Sequence, residues 1–181
     1  FIFSANYHKI IFHYSRKFKS RLNFPYRLMH ELKIKKELVN IRDSIIFDFI
    51  EYDEPIKSAC MHYFKNGGKY TRPSIVLRIS HLVNYHIQRA QELKTSQMLI
   101  AKFSEMIHTA SLVHDDIVDF SDKRRNFPSV NKLYGTRTSI LAGNLIMSKA
   151  TSLIAQLNDP MLISILTNTI IDLVSGNRYY C

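Results

Sequence analysis

The sequence predicts an all-α fold, and three observations carry that reading. Only five Gly and five Pro occur in 181 residues, and long stretches lack both, which disfavours the turn-dense pattern of a sandwich or barrel. Apolar residues recur at helical spacing in most segments. Helix stop and start signals stand between those segments, at Asp53-Glu54-Pro55, at Asn66-Gly67-Gly68 and at Asp159-Pro160.

In chain order, Leu32, Leu38, Ile41, Ile45 and Phe49 place a helix from Leu28 to about Tyr52. Pro55 then sits at the first position of a second helix reaching Lys65, and Asn66-Gly67-Gly68 break it. Thr71 is placed to cap a third helix through Ile75, Leu77, Ile79 and Leu82. After a polar stretch from Gln91 to Ser96, a long and largely apolar helix runs from Met98 to Phe120. Residues 122–135, with Pro128, read as a loop and short turn. Thr136 to Leu157 is helical, and Asp159-Pro160 caps and begins a last helix to about Val174.

Length and composition fit one domain with a single substantial core: 46% hydrophobic and 22% charged residues exclude a disordered chain. The formal charge of +10 is unevenly placed. Residues 1–30 hold six Lys/Arg and no Asp or Glu, whereas the rest holds 19 basic and 15 acidic residues. Residues 1–27 therefore read as a basic, transit-like arm ahead of a helical domain at 28–181, the alternative being a basic arm that contacts a partner or a membrane surface. With most of the charge in that arm and no recognised nucleic-acid-binding fold behind it, a nucleic-acid partner is not expected. Two cysteines, Cys60 and Cys181, are too few for a disulfide framework or a thiolate metal site. No run of eighteen apolar residues occurs, so no membrane span is expected.

The candidate chemistry lies at the end of the long helix. Asp115, Asp116 and Asp119 fall within one 100° sector at 100° per residue, so their charges repel, and they stand at the helix end that favours cations. Mg²⁺ would neutralise them: it wants hard oxygen ligands and is usually held by one or two carboxylates together with phosphates. The alternative is a solvated helix end balanced by Lys123-Arg124-Arg125. Lys69 and Arg72 follow Gly67-Gly68 at a helix entrance, where exposed N–H groups favour an anion; a tight turn with a solvated Lys is the plainer reading. His108 lies two turns before Asp115 on nearly the same face, where a lone His is most often a satisfied core residue.

Gly67-Gly68-Lys69, Arg72-Pro73, the run Met106-Ile107-His108-Thr109-Ala110-Ser111-Leu112-Val113-His114-Asp115-Asp116-Ile117-Val118-Asp119, Arg124-Arg125, Val130-Asn131 and Ile140-Leu141-Ala142-Gly143-Asn144 together resemble the trans-type isoprenyl (polyprenyl) diphosphate synthases over residues 28–176. That resemblance implies the first half of an isoprenoid-synthase-type helical bundle and a Mg²⁺-dependent 1'-4 condensation of isopentenyl diphosphate onto an allylic diphosphate such as farnesyl or geranylgeranyl diphosphate. It implies that Asp115, Asp116 and Asp119 bind Mg²⁺, that Arg124 contacts the allylic diphosphate, and that Lys69, Arg72, His108 and Arg125 hold isopentenyl diphosphate. It places Ala110 and Ser111 at the floor of the chain pocket, where small residues let a long product grow. With the transit-like arm, the resemblance further implies a mitochondrial matrix enzyme supplying the ubiquinone side chain, as an oligomer with itself or another synthase subunit.

The sequence departs from the family pattern in its last third. The only acids after Asp122 are Asp159 and Asp172, so the family's second aspartate-rich motif does not occur in these 181 residues. Asn144 stands where the family usually has Asp, Asn177 where Glu is common, and residues 178–181 do not continue the pattern. The expectation is a chain corresponding to the N-terminal part of such a synthase, or a non-catalytic subunit that docks to an active one.

Overall fold

A computed structural model describes residues 24–88 and 92–176. The arm at 1–27 lies almost wholly outside the described residues, as do Asn177 and residues 178–181. Two compact units are present, residues 1–37 and 38–181. Helix α1, Phe24–Phe47, begins in the first and ends in the second.

Six α-helices occur among the described residues, as the sequence predicts. They are α1, α2 (Ile56–Lys65), α3 (Thr71–Val83), α4 (Thr95–Val118), α5 (Val130–Ala155) and α6 (Pro160–Gly176). A π-helical turn, Asn84–Gln88, extends α3, and a short antiparallel hairpin pairs β1 (Lys123–Arg124) with β2 (Phe127–Pro128). Helix α4 is the central element: it packs along α5 and against α3, while α2 packs on α5. Ala101, Met106, Ala110 and Val113 on α4 and Ala142, Ile146 and Ala150 on α5 are fully or almost fully buried. The small residues let the two backbones approach. Gly143 carries this furthest, because a Cβ there would lie 2.6 Å from Cδ2 of the His114 ring.

Several boundaries differ from the expected ones for local reasons. Helix α1 stops at Phe47, five residues early, and turns through Asp48–Ile50. There Asp48 pairs with the Lys102 ammonium at 2.7 Å, and Lys102 also donates to Ser44 Oγ at 2.8 Å, tying the end of α1 to α4. Pro55 precedes α2 rather than beginning it, and the Glu54 side chain accepts from Ser58 N at 3.2 Å. Thr71 does not cap α3; Tyr70 occupies the cap position in the left-handed region, with φ 46°. Helix α4 starts before Met98 because Gln97 Oε1 accepts from Lys94 N at 2.9 Å, while the Gln97 amide exchanges hydrogen bonds with buried Asn84. Gly135 is non-helical at φ 77° and ψ 163°, so the regular part of α5 begins at Thr136 as expected. Asp159 Oδ1 accepts from Met161 N and Leu162 N, the cap that the sequence predicts for α6.

Candidate functional site

The loop from Asn66 to Tyr70 folds back on itself because its residues allow left-handed backbone. Gly67 has φ 85°, a conformation that L side chains rarely adopt, and Tyr70 donates from its hydroxyl to Phe64 O at 3.1 Å, closing the loop. Gly68 is small for a different reason. A Cβ there would sit 2.8 Å from Nη1 of Arg125, which donates to Gly67 O at 2.6 Å. Arg125 reaches this point from the hairpin, where it and Asn126 form the turn with φ 51° and 68°, the pair of positive values that two-residue type I′ turns require. A non-glycine residue in that region is uncommon and concentrates at functional sites.

Loop, α3, α4 and hairpin together enclose an open cavity of about 450 Å³, bordered by residues 66–72, Glu105, His108 and Arg125. The structure therefore brings together the four residues Lys69, Arg72, His108 and Arg125, which come from three separate stretches of sequence. Burial, and then the charges of Arg72, Arg125 and Arg124, push the His108 imidazole down to about 4. It is neutral at physiological pH and offers a hydrogen bond rather than a charge. Sequence reading missed Glu105. Its carboxyl, 5% exposed, lies on the same wall, and burial raises its affinity for a proton against the pull of Arg72 and Arg125. Extending the His108 face back by three residues would have found it.

The three aspartates are not placed alike, and the expectation of one shared carboxylate face is corrected here. Asp116 is fully buried. Its Oδ1 accepts from Arg124 Nε at 2.8 Å and pairs with Nη2 at 2.7 Å, while Oδ2 accepts from the Tyr63 hydroxyl. That hydroxyl in turn accepts from Val130 N at 3.2 Å, which joins α2, α4, the hairpin and the start of α5. Helix α4 ends at Val118, and Asp119, its C-cap, is exposed while Asp115 is half-buried. Among the described residues no group of three or more His, Cys, Asp or Glu is arranged to hold a metal. The donor set nonetheless suits Mg²⁺ shared with a phosphate: Asp115 and Asp119 are hard oxygen donors joined across one turn by the Asp119 N to Asp115 O bond of 2.8 Å. Arg124, expected to contact a diphosphate, is bonded to Asp116.

Ala110 and Ser111 stand one turn before the aspartates. Both are buried, and Ser111 Oγ donates to His108 O at 2.8 Å. His114, just before Asp115, packs its ring against Gly143, and its buried Nε2 has no hydrogen-bond partner among the described residues.

The polyprenyl synthetase family profile matches residues 53–179. The Homo sapiens all trans-polyprenyl-diphosphate synthase PDSS1 is 38% identical over 141 residues, which are 78% of this chain and 34% of that protein. Subunit 1 of the Schizosaccharomyces pombe decaprenyl-diphosphate synthase is 35% identical over 162 residues, 79% of this chain and 43% of that one. The crystal structure of a Caulobacter crescentus polyprenyl synthase, complexed with calcium and isoprenyl diphosphate, superposes with a TM-score of 0.68 at 25% identity, covering 79% of this chain and 42% of that chain. The chain thus spans well under half the length of these relatives.

Proposed function

The chain belongs to the polyprenyl synthetase family, and from that premise we propose that it forms the isopentenyl-diphosphate side of a long-chain, Mg²⁺-dependent trans-polyprenyl diphosphate synthase. The observation that carries this reading is the cavity in which Lys69, Arg72, His108 and Arg125 meet. Three cations and a neutral imidazole donor around an open space of about 450 Å³ suit a diphosphate with a small apolar tail. This substrate needs anchoring without activation, which is what side-chain cations supply without a bound metal.

Asp115 and Asp119, on the outward side of the same helix end, are the proposed carboxylates for the second substrate's metal. Mg²⁺ bound there supplies charge stabilisation for a departing pyrophosphate. Asp116 does not ligate in this reading: it fixes Arg124 beside that site, with Tyr63 fixing Asp116. The steps are loss of pyrophosphate from the allylic substrate, attack by the isopentenyl double bond on the resulting cation, and proton loss that restores an alkene. Water would capture the cation, so the apolar walls must exclude it. Ala110 and Ser111, both small, set a long product. The basic, acid-free first 30 residues support a mitochondrial destination, and with it a product that becomes the ubiquinone side chain.

A second reading, a non-catalytic subunit docking to an active prenyl synthase, is favoured by α6, where Met161, Ile165, Ile171 and Val174 are all at least half exposed. Incorporation of radiolabelled isopentenyl diphosphate into extended product, with farnesyl or geranylgeranyl diphosphate and Mg²⁺, tests the first reading directly. Product from the chain, or from a longer form that contains it, supports that reading. No product alone, with stimulation of an added synthase, supports the second.

A further inference from the structure

Glu105 is a buried carboxyl on the wall of a basic pocket, and the binding roles proposed above leave it unused. We propose that diphosphate binding in this pocket is coupled to the uptake of one proton by Glu105. The inference rests on the pocket being a diphosphate site.

The side chain borders the cavity of about 450 Å³ and also the smaller pocket beside it, which is lined by Tyr63, Thr109 and Arg124. Lys69 and Tyr70 face it from the loop, Arg72 from α3, Arg125 and Arg124 from the hairpin, and His108 from its own helix. Arg42 and Asp43 of α1 act on the neighbouring Tyr70. None of the ion pairs among the described residues involves Glu105, so Arg72 and Arg125 stabilise its charge only across open space.

That arrangement changes when an anion enters. A diphosphate engages the two guanidiniums and places its own negative charge in the space they shared. The buried carboxylate then loses its stabilisation and gains repulsion, both favouring the neutral acid. A proton from solvent joins the carboxylate oxygen, no other bond changes, and the anion stays. Loss of that proton restores the repulsion and drives the diphosphate out. Glu105 thereby sets how readily this pocket releases a diphosphate once its chemistry is done.

Titration calorimetry of the chain with isopentenyl diphosphate, free of divalent metal, tests this. Two buffers of different ionisation enthalpy are used well above about pH 6, where the terminal phosphate is ionised. Wild type is expected to show buffer-dependent heats that correspond to about one proton, with affinity falling by up to about tenfold per pH unit. Glu105→Gln should give equal heats in both buffers, a nearly flat pH profile and tighter binding at the alkaline end; Glu105→Asp should retain the uptake. Unchanged uptake in Glu105→Gln overturns the inference, as does uptake lost only in His108→Gln, which would assign the proton to the imidazole. No binding by wild type overturns the diphosphate-site reading itself, and the inference with it.

Discussion

Replacing Arg124 by Ala leaves the Asp116 carboxylate, 0% exposed, with the Tyr63 hydroxyl as its one remaining side-chain partner among the described residues. The two guanidinium contacts, at 2.8 and 2.7 Å on the same oxygen, both disappear. A buried charge stripped of its partner costs about 3–5 kcal/mol. Asp116→Asn removes the charge but keeps the shape, and leaves Arg124, whose side chain is 27% exposed, able to reach water, so it should cost less, about 1–3 kcal/mol. The double variant Asp116→Asn/Arg124→Met should be more stable than Arg124→Ala, because no buried charge remains. Urea unfolding followed by circular dichroism reads these differences. With a slope of about 2 kcal/mol/M, Arg124→Ala lowers the midpoint by about 1.5–2.5 M. A shift below about 0.5 M, or a double variant less stable than both single ones, would refute the buried-pair reasoning. The result also governs how activity data are read, since a turnover loss in Asp116→Asn would then reflect a displaced Arg124 rather than a lost metal ligand.

Other outcomes follow from the same geometry. Gly143→Ala forces a Cβ onto the His114 ring and should destabilise by about 1–3 kcal/mol, less the ~1 kcal/mol gained in helix propensity; in a His114→Ala background only the gain should remain. Cys60 is buried with its thiol pushed up to about 12 by desolvation. In the Cys181→Ser chain, a thiol reagent near neutral pH should therefore label only unfolded protein. The His108 imidazole should titrate near 4 by NMR in the free chain. Because that value lies below the ordinary 6.5, the unfolded state binds the proton first; this contribution to stability is complete above about pH 6.5 and shrinks as pH falls towards 4. Stability that rises on acidification across that window would contradict it.

What the sequence shows and what it hides divide along physical lines. The helices were legible because their apolar spacing and the Asp159-Pro160 and Gly67-Gly68 signals are local. The grouping of Lys69, Arg72, His108 and Arg125 was legible only through the family resemblance, since each position alone reads as a turn or a core residue, and their meeting around one cavity depends on the fold. The carboxylate cluster was legible only in part because a wheel gives angles about the axis and not what packs there: Asp116, at one edge of the sector, turns inward to partners 53 and 8 residues away. Tyr63 carried no local signal at all, since its role exists only once α2 lies beside α4. The cap of α3 was misassigned to Thr71 because composition favours Thr there, but the hydrogen bond that Tyr70 makes to Phe64 O places Tyr70 at that position instead.

The central claim, that Lys69, Arg72, His108 and Arg125 form one diphosphate site, is tested most directly by ³¹P NMR of isopentenyl diphosphate titrated with the chain in the absence of metal. Saturable shifts of both phosphorus signals are expected, with affinity lowered about tenfold or more by Arg72→Ala, for the loss of a charge-assisted contact of about 1.5–3 kcal/mol, and little change on Asp119→Asn. Equal affinity in the wild type and Arg72→Ala, or dependence on Asp119 instead, would contradict it.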